Sequence, residues 1–340
     1  MKQAVMVSPG VIGFRDIADP SAGSDDVLIR VKRIGICGSD IHVNHGSHPF
    51  TSYPIVQGHE FSGVVEAVGE SVAGFQRGNK VTALPQIVCG RCRPCLRGDY
   101  HICDSLKVEG FQAPGCAQEL FVTPASRAVW LPDSFTFEQG AMVEPTAVAV
   151  HAVSRAGGVA GKNVVVLGAG PIGNLVSQVA RAEGARVLVT DLSEFRLDIA
   201  RRCGIADTAN AGAESLAESS RRVFGKEGFD IALECVGLEP TLSAAVDAIA
   251  KGGRIVIVGV FGEKPKVAVA LVQDRELTLV GTLMYRRPDY ERAVALIASG
   301  SVLTGPLETK HFPFEQYADA YRYIDEHREE SMKVFVDVSP

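Results

Sequence analysis

Four cysteines lie within a segment of fifteen residues, CGRCRPCLRGDYHIC. Their spacing is C-x2-C-x2-C-x7-C, and the glycines and proline between them let the backbone turn. Four thiolates this close can surround one tetrahedral metal ion, and a site closed by four protein ligands leaves no position for a substrate. The spacing therefore predicts a structural zinc ion bound by Cys89, Cys92, Cys95 and Cys103.

Other states of these cysteines compete with that interpretation. In the bacterial ferredoxin pattern the fourth cysteine comes after three residues and is followed by proline, whereas here the gap is seven residues and Asp104 follows. Disulfides or unligated thiols are the remaining alternatives. Eight cysteines in 340 residues, half of them clustered, favour metal binding in a reducing compartment over a secreted disulfide framework.

A second motif, GAGPIG, directly follows the apolar segment NVVVL and begins a predicted helix. Gly168 permits the tight turn, Gly170 lets the backbone approach a pyrophosphate, and Gly173 allows the helix to pack closely on the strand. Pro171 and Ile172 complete the motif, and the amides at the helix N-terminus would face the anion. The glycine pattern alone is weak, because a glycine-rich turn with a capping aspartate looks the same.

The end of the next predicted strand strengthens the dinucleotide hypothesis. Asp191 lies eighteen residues after Gly173. A carboxylate at this point accepts hydrogen bonds from ribose hydroxyls and repels a 2′-phosphate. Arg196 can lie over the adenine, and its positive charge weakens the exclusion of NADP slightly. The segment predicts NAD as the cofactor.

Candidates for a second, open metal site are dispersed along the chain. Cys37 lies in GICGSDIH, His59 and Glu60 lie in QGHEFSG, and Glu144 lies in MVEPTAVAVHA. A single histidine is more often a core or surface residue than a ligand, and a single cysteine is more often a small core hydrophobe. The hypothesis of a second site therefore depends on the combination.

The order and spacing of these motifs resemble those of the medium-chain zinc-dependent alcohol dehydrogenases over nearly the whole chain. GICGSDIH is followed by GHEFSG, the four-cysteine segment, and VEP before GAGPIG. The sorbitol, threonine and sugar-acid branch is the most similar, since VTDLSEFRL is close to the cofactor-binding segment of sorbitol dehydrogenases. The resemblance implies two zinc ions per subunit, one catalytic and one structural. It also implies hydride transfer to NAD from a secondary hydroxyl of a polyol or sugar acid (aldonate).

The resemblance also implies roles for residues around the catalytic zinc. Cys37 and His59 would bind it, and Glu144 stands where the alcohol dehydrogenases proper supply a third cysteine. In the polyol branch the residue at Glu60 also ligates or exchanges with water, so the sequence leaves open whether Glu60, Glu144 or both contact the metal. Asp40 resembles the carboxylate that orients the zinc histidine.

Further positions carry over to proton transfer and cofactor binding. Ser39 and His42, two and five residues after Cys37, resemble a proton relay to solvent. Gly38 replaces an arginine that liver-type enzymes place against the pyrophosphate, which favours the polyol branch and faster cofactor release. The resemblance adds four cofactor contacts: Val258, Gly259, Val260 and Leu283.

Substrate residues are implied by the same branch. Glu60 and Glu144 would give a polar pocket, which suits a polyhydroxylated substrate. Arg286 and Arg287 are adjacent, and either could bind a substrate carboxylate through two parallel hydrogen bonds. The alternative is a solvated pair before the helix that begins near Pro288. The residues at the substrate cleft would be Tyr53, Phe50, Phe111 and the segment Leu283–Arg287, with Tyr285 and Arg286.

The elements that must position these residues differ along the chain. Up to about residue 145 the sequence is β-rich, with VLIRVKRIG, FSGVVEAVG, KVTAL and ELFVTP between glycines and prolines. After Gly161, apolar strands alternate with helices predicted near 171–183, 193–203 and 240–250, which indicates a doubly wound parallel sheet. Two amphipathic helices follow from about Tyr285, and the last strand, KVFVDV, is expected to return to the first domain.

The predicted fold class is therefore α/β, with a GroES-like β-rich catalytic domain and a Rossmann dinucleotide-binding domain. The catalytic domain is predicted over 1–146 and 286–340, with its structural-zinc loop at 85–110. The NAD-binding domain is predicted over 147–285.

Composition argues against several classes of protein. The net charge of −6 provides no basic surface for nucleic acid. No apolar run approaches the ~20 residues that a membrane helix needs, and MKQAVMVSPGVIGFRD has no signal-peptide pattern. We expect a cytoplasmic homo-oligomer, dimer or tetramer, whose partner is a small-molecule substrate, with no nucleic acid or membrane.

Three alternatives remain open. One is L-threonine 3-dehydrogenase-like oxidation of an amino alcohol. Another is a non-catalytic NAD-binding sensor, against which the intact Cys37, Ser39, His42 and His59 argue. A quinone-reductase-like enzyme of the same fold would lack both zinc sites, so the ligand pattern argues against it.

Overall fold

The computed structural model describes residues 1–339, which divide into two compact units. The first comprises 1–144, 286–294 and 308–339, and the second comprises Pro145–Tyr285 and Ala295–Leu307. The predicted division assigned all of 286–340 to the first domain, and for 295–307 that assignment is wrong. Hydrogen bonds explain the difference, because Leu303 N donates to Gln178 Oε1 at 2.7 Å and Gln178 Nε2 donates to Leu303 O at 3.1 Å.

Runs of consecutive strands form most of the N-terminal part of the chain, and from β10 onward strands alternate with helices. The strands are β1 (Lys2–Ser8), β2 (Val11–Asp16), β3 (Asp26–Ile36), β4 (Glu60–Val68), β5 (Lys80–Ala83), β6 (Gln86–Ile87), β7 (Lys107–Val108), β8 (Leu120–Pro124), β9 (Ala128–Trp130), β10 (Asn163–Leu167), β11 (Arg186–Asp191), β12 (Asp207–Asn210), β13 (Ile231–Glu234), β14 (Arg254–Ile257), β15 (Thr278–Gly281), β16 (Glu308–Pro313) and β17 (Lys333–Asp337).

The helices are α1 (Gly38–Asn44), α2 (Arg93–Leu96), α3 (Phe137–Ala141), α4 (Val143–Arg155), α5 (Pro171–Ala182), α6 (Glu194–Arg202), α7 (Leu216–Phe224), α8 (Glu239–Ala248), α9 (Val269–Asp274), α10 (Arg287–Ala298) and α11 (Tyr317–Glu326). Single 3-10 turns lie at Tyr100–Ile102, Gly225–Glu227, Gly305–Leu307 and Phe314–Gln316. None of the helices within residues 1–339 is long and apolar enough to cross a membrane.

The first unit is built on a sheet with the strand order β16-β17-β3-β4-β5-β9, in which β8 also pairs with β3. β17 is antiparallel to β3, so the last strand does lie beside the N-terminal sheet. In β3 the buried apolar side chains first fall on odd positions, as at Ile29 and Val31, and then on even ones, as at Ile34 and Ile36. The register with β4 shifts between these two stretches. A β-bulge inserts one residue and so reverses which side chains face the core.

The reversal decides which face the end of β3 offers to the chemistry. Burying each of these aliphatic side chains contributes roughly 1.5–3 kcal/mol, so Ile34 and Ile36 are held on the core side. Gly35 and Cys37 consequently alternate to the opposite face. Gly35 pairs directly with Glu60 of β4, and opposed residues of an antiparallel pair share a face.

The second unit is a parallel sheet in the order β12-β11-β10-β13-β14-β15. This is the Rossmann arrangement, whose switch point lies between β10 and β13. The predicted fold class is confirmed, and the three helices predicted there correspond to α5, α6 and α8. The sequence interpretation missed β12 and α7. The signal for α7 was a capping box, because Ser215 Oγ accepts from Glu218 N and the Glu218 carboxylate accepts from Ser215 N.

Candidate functional site

The first unit brings together one thiol, one imidazole and one carboxylate. Ligand atoms of Cys37, His59 and Glu60 all lie within 4.8 Å of one another. His59 and Glu60 are buried, at 6% and 1% exposure, while Cys37 before α1 is half-buried. Glu60 Oε1 is buried without a hydrogen-bond partner. An orphaned buried oxygen beside a thiol and an imidazole makes a set of three donors, which fits zinc with a fourth tetrahedral position left for another ligand.

Asp40 lies beside two members of this group, although the His59 Nδ1 that faces it makes no full hydrogen bond. Its Oδ2 accepts from Cys37 N at 2.9 Å, and its Oδ1 lies 3.6 Å from His59 Nδ1. Because Asp40 faces Nδ1, the other ring nitrogen, Nε2, is the one available to a metal. Burial alone would lower the pKa of His59, but Asp40 and Cys37 beside it raise that pKa well above its usual value. Without a metal, the site thus favours a protonated His59 imidazole.

Glu144 is placed differently from Glu60. It lies in the first turn of α4 and is 5% exposed. Within residues 1–339, the close metal-type group contains Glu60 but does not include Glu144. Glu144 remains near the site electrostatically: burial lowers the pKa of Lys333, but Glu60, Cys37 and Glu144 together raise it above its usual value. The predicted ligand role of Glu144 stays a prediction, and Glu60 is the carboxylate that the structure brings to Cys37 and His59.

The proposed proton-relay residues share one short helix. Ser39 is half-buried and His42 is exposed, three residues later in α1. Residues three apart lie on the same side of a helix, which is compatible with a relay. Ser47 Oγ lies 3.5 Å from His42 Nδ1. The relay itself stays a prediction.

Aromatic side chains surround His59. The Phe111 ring lies 4.9 Å from the His59 ring and stacks on His48 at 4.8 Å, centroid to centroid. His48 was missed by the sequence interpretation, since no motif or spacing singles it out. Phe50 is 73% exposed, whereas the Tyr53 hydroxyl donates to Val43 O. Phe111 is therefore a predicted substrate residue whose ring contacts His59 of the metal-type group.

The segment at 285–287 departs from expectation. Tyr285 is fully buried, so in this conformation its side chain offers no surface to a substrate. Arg287 is partly exposed, and its guanidinium donates to Ser126 O and, at 3.2 Å, to Ala128 O. Arg286 differs, since its Nε is buried without a hydrogen-bond partner. Of the two arginines, Arg286 is the one with unsatisfied hydrogen-bonding capacity.

The four-cysteine segment is folded into one cluster. The four sulfur atoms lie within 4.8 Å of one another, and Cys92 Sγ is 3.8 Å from Cys103 Sγ. All four cysteines are free, which excludes a disulfide among them in this structure. Backbone amides of Arg91 and Cys92 lower the pKa of Cys89 to about 6, whereas burial and the neighbouring thiols raise that of Cys95 to about 12. Four simultaneous thiolates therefore need a cation, which fits the predicted structural zinc.

In the second unit the glycine motif has the geometry that a dinucleotide needs. Gly168 has φ +97°, and a Cβ on Gly173 would lie 1.9 Å from Gly168 O. A Cβ on Gly170 would meet nothing within 4 Å, so the backbone there borders open space. Pro171 begins α5, which directs its free N-terminal amides toward that space.

Asp191 ends β11 beside this turn. Its Oδ2 accepts from Ala169 N at 2.7 Å, and its Oδ1 accepts from Ser193 N at 2.9 Å. A carboxylate has further lone pairs, so ribose hydroxyls can still be accommodated. Arg196 Nη1 lies 4.0 Å from Asp191 Oδ2. The predicted acidic residue is thus joined to the glycine loop by a backbone hydrogen bond.

Glu234 is a buried residue of this unit that the sequence interpretation missed. Its carboxylate accepts from Val236 N and Gly237 N at 2.9 Å, and its backbone oxygen accepts from Val258 N and Gly259 N at 2.8 Å. Glu234 therefore joins the loops after β13 and β14. The predicted cofactor contacts Val260 and Leu283 are 79% and 53% exposed.

Comparison with known proteins covers both units. The family model for the alcohol dehydrogenase GroES-like domain matches residues 23–133, and that for zinc-binding dehydrogenase matches residues 171–299.

Two curated relatives and one solved structure align over most of the chain. 2-dehydro-3-deoxy-L-galactonate 5-dehydrogenase of Pseudoalteromonas atlantica is 36% identical over 307 residues, 90% of this chain and 89% of that one. L-threonine 3-dehydrogenase of Idiomarina loihiensis is 34% identical over 320 residues, 92% of each chain. The crystal structure of galactitol-1-phosphate dehydrogenase from Escherichia coli superposes with a TM-score of 0.92 at 29% identity, covering 99% of this chain and 100% of that one.

Proposed function

Because the chain belongs to the zinc-dependent alcohol dehydrogenase family, we propose that it oxidises a secondary hydroxyl of a sugar acid or linear polyol, with NAD as the hydride acceptor. The observation that carries this proposal is the group formed by Cys37, His59 and Glu60, whose ligand atoms lie within 4.8 Å of one another. A carboxylate beside the thiol and imidazole makes the surroundings of the reacting hydroxyl polar. Polar surroundings suit a substrate with several hydroxyls.

The residues of the chain have separable tasks in this reaction. When bound, zinc supplies a Lewis acid that lowers the pKa of a substrate hydroxyl, and NAD supplies the hydride acceptor. Asp40 keeps His59 in the orientation and tautomer that a metal requires. Ser39 and then His42 receive the hydroxyl proton and pass it toward solvent, because the unperturbed pKa of histidine is near neutrality. Phe111 excludes water beside His59, which strengthens electrostatic interactions there.

Cofactor choice is assigned to Asp191. Its carboxylate would accept hydrogen bonds from the adenosine ribose and repel a 2′-phosphate, which favours NAD over NADP. Arg196, 4.0 Å away, partly offsets that repulsion. Gly170 leaves open space for the pyrophosphate, next to the amides that begin α5.

Arg286 supports an acid as the substrate. Its buried Nε has no hydrogen-bond partner, and a guanidinium can hold a carboxylate through two parallel hydrogen bonds. The name of one relative, 2-dehydro-3-deoxy-L-galactonate 5-dehydrogenase, refers to a sugar acid. The second candidate function is oxidation of L-threonine, favoured by a relative of that activity at 34% identity. Threonine also carries a carboxylate, so Arg286 does not separate these two.

A substrate screen tests the proposal. Purified protein with its zinc content measured is incubated with NAD and with aldonates, linear polyols, L-threonine or ethanol, while the absorbance of the reduced cofactor is followed. We expect the highest kcat/KM with an aldonate or polyol. A clear preference for L-threonine would select the second candidate, and no turnover of any hydroxyl compound would favour a non-catalytic sensor.

Assembly and location remain part of the proposal. The resemblance to the polyol branch favours a homo-oligomer, and the free cysteines suit a reducing compartment such as the cytoplasm. Sedimentation of the zinc-loaded protein would measure the number of subunits.

A further inference from the structure

A buried lysine contacts the candidate metal site from the C-terminal strand. Lys333 in β17 and Glu60 in β4 have side chains only 3% and 1% exposed. Lys333 Nζ lies 2.5 Å from Glu60 Oε2 and donates also to Ile36 O at 3.3 Å. Two charges buried this deeply require each other, since either alone would be strongly unfavourable away from water. The ammonium is therefore a fixed part of this site.

The sheet builds the space for this ion pair. β17 and β4 pair with opposite edges of β3, and Gly35 of β3 lies directly opposite Glu60. A Cβ on Gly35 would lie 2.6 Å from Glu60 Oε2 and 3.4 Å from Lys333 Cδ. A larger residue would press into the carboxylate. The missing side chain at Gly35 thus lets the lysine reach across β3 to Glu60.

Glu60 has one oxygen for the lysine and one without a partner. Oε2 is held by Lys333, while Oε1 is buried and makes no hydrogen bond. The carboxylate also lies within 4.8 Å of the ligand atoms of Cys37 and His59. Lys333 Nζ also donates to Ile36 O, so moving with Glu60 toward a metal would cost the lysine this second hydrogen bond. The carboxylate is therefore shared between an ammonium and the expected zinc.

We propose that Lys333 is a positioning residue that competes with the open-site zinc for Glu60 and so keeps a coordination position available to the substrate. The proposal rests on the zinc-dependent function proposed above. With Lys333 present, the charge of Glu60 is compensated before any metal binds. Without Lys333, zinc becomes the nearest counter-charge, and Glu60 takes the position that a substrate hydroxyl needs.

The first test removes the lysine from the holoenzyme. Zinc affinity of the open site is measured by competition with a chelator, and KM is measured for the best substrate. Lys333→Gln should bind zinc roughly tenfold more tightly and raise KM by a similar factor, because a competing charge-assisted hydrogen bond is lost. Lys333→Arg should keep values near those of the unmodified protein. Unchanged or weaker zinc binding in Lys333→Gln overturns the proposal.

Lys310→Gln is the matched control. Lys310 is an exposed lysine on the adjacent strand β16, so its loss changes the net charge equally without touching Glu60. It should alter neither zinc affinity nor KM. If Lys310→Gln reproduces the effect of Lys333→Gln, a general charge effect replaces the specific role of Lys333.

A second test does not depend on the folding of a lysine variant. If Lys333 holds Glu60 in the resting protein, Glu60→Gln should weaken zinc binding by roughly 10–100-fold, as for a residue that supports a ligand without being one. His59→Gln should weaken it far more, because a ligand is lost. Equal losses in the two variants overturn the role of Lys333. An unmodified protein with only one zinc per chain instead overturns the proposed function on which it rests.

Discussion

The two metal-binding regions of this protein are assembled in opposite ways. The closed cluster takes all its ligands, Cys89 to Cys103, from one loop segment. The open group takes Cys37 from the turn between β3 and α1, and it takes His59 and Glu60 from the start of β4. A third strand, β17, contributes Lys333 to the same place. The closed cluster is formed by one short segment alone, whereas the open group requires several strands of a sheet.

The two regions are expected to respond differently when a metal ligand is removed. The closed cluster holds a loop, so its loss is expected to appear as lower stability. The open group sits on a packed sheet, so its loss is expected to appear as lost chemistry with the fold retained.

The largest effect is expected from His59→Ala. Removing this imidazole takes away a zinc ligand, so turnover should fall below detection and zinc should drop from two ions per chain to one. The strand β4 and its pairing with β3 do not depend on the imidazole, so the circular dichroism spectrum should stay unchanged. Elemental analysis with initial rates measures both. Retained turnover would show that this group is not the reactive site.

Cys95→Ser should affect stability instead. Loss of one thiolate opens the closed cluster, and a structural zinc contributes directly to folding free energy. We expect a lower melting temperature and poorer solubility, while the fraction that stays folded keeps its KM. An unchanged melting temperature, or iron with sulfide in place of zinc, would contradict the structural-zinc interpretation.

Arg286→Ala is expected to affect substrate binding, whereas Arg287→Ala is expected to affect stability. If Arg286 binds a substrate carboxylate, its loss costs on the order of 1.5–3 kcal/mol, at least tenfold in KM for the acid but not for the matching polyol. Arg287 holds backbone oxygens of Ser126 and Ala128, so Arg287→Ala should lower the melting temperature and leave KM alone. Equal small effects on both substrates would discard the carboxylate role of Arg286.

The zinc affinity of the open group should depend on pH through the proton on His59. The pKa of metal-free His59 is raised well above its usual value by Asp40 and Cys37, against the opposing effect of burial. The proton on this imidazole stabilises the metal-free fold below the unfolded-state pKa, and that stabilisation is lost as pH rises through the folded-state pKa. Zinc must displace the proton, so open-site affinity should increase with pH across that range. Asp40→Asn should shift the dependence to lower pH, and an affinity independent of pH would contradict this.

The smallest effect concerns the cofactor. Asp191→Ala should narrow the ratio of kcat/KM for NAD over NADP, because the repulsion of a 2′-phosphate is lost. Asp191→Asn removes the charge but preserves part of the local structure, since its amide oxygen can still accept a backbone hydrogen bond from Ala169 or Ser193. A native protein that already prefers NADP would contradict the interpretation of this strand end.

Local features were the ones that the sequence could predict. The four cysteines are close in the chain, so their spacing alone predicted a cluster. The apolar strand before GAGPIG and the acidic end of β11 predicted the dinucleotide turn, since both depend on a single βαβ unit. The β12–α7 segment was missed because DTAN has little β-branched or aromatic character.

Features that depend on register could not be predicted in this way. The switch of the apolar residues of β3 from odd to even positions is visible in the sequence, but the pairing with β4 that turns Gly35 and Cys37 to the opposite face is not. The sequence does not distinguish the two adjacent arginines. In the structure, however, Arg287 donates to backbone oxygens, whereas the Nε of Arg286 has no hydrogen-bond partner. Tyr285 likewise gave no sign that it would be fully buried.

The chemical groups, the order of the elements and the cofactor turn could be predicted, because they depend on residue type and on neighbours within one or two elements. The carboxylate that joins Cys37 and His59 could not, because it depends on how distant strands pair. The tertiary structure placed Glu60 there, left Glu144 outside the close group, and set Lys333 against Glu60 across Gly35. The physical reason is distance along the chain. Lys333 and Glu60 are 273 residues apart, and their contact exists because β17 and β4 pair with the same strand.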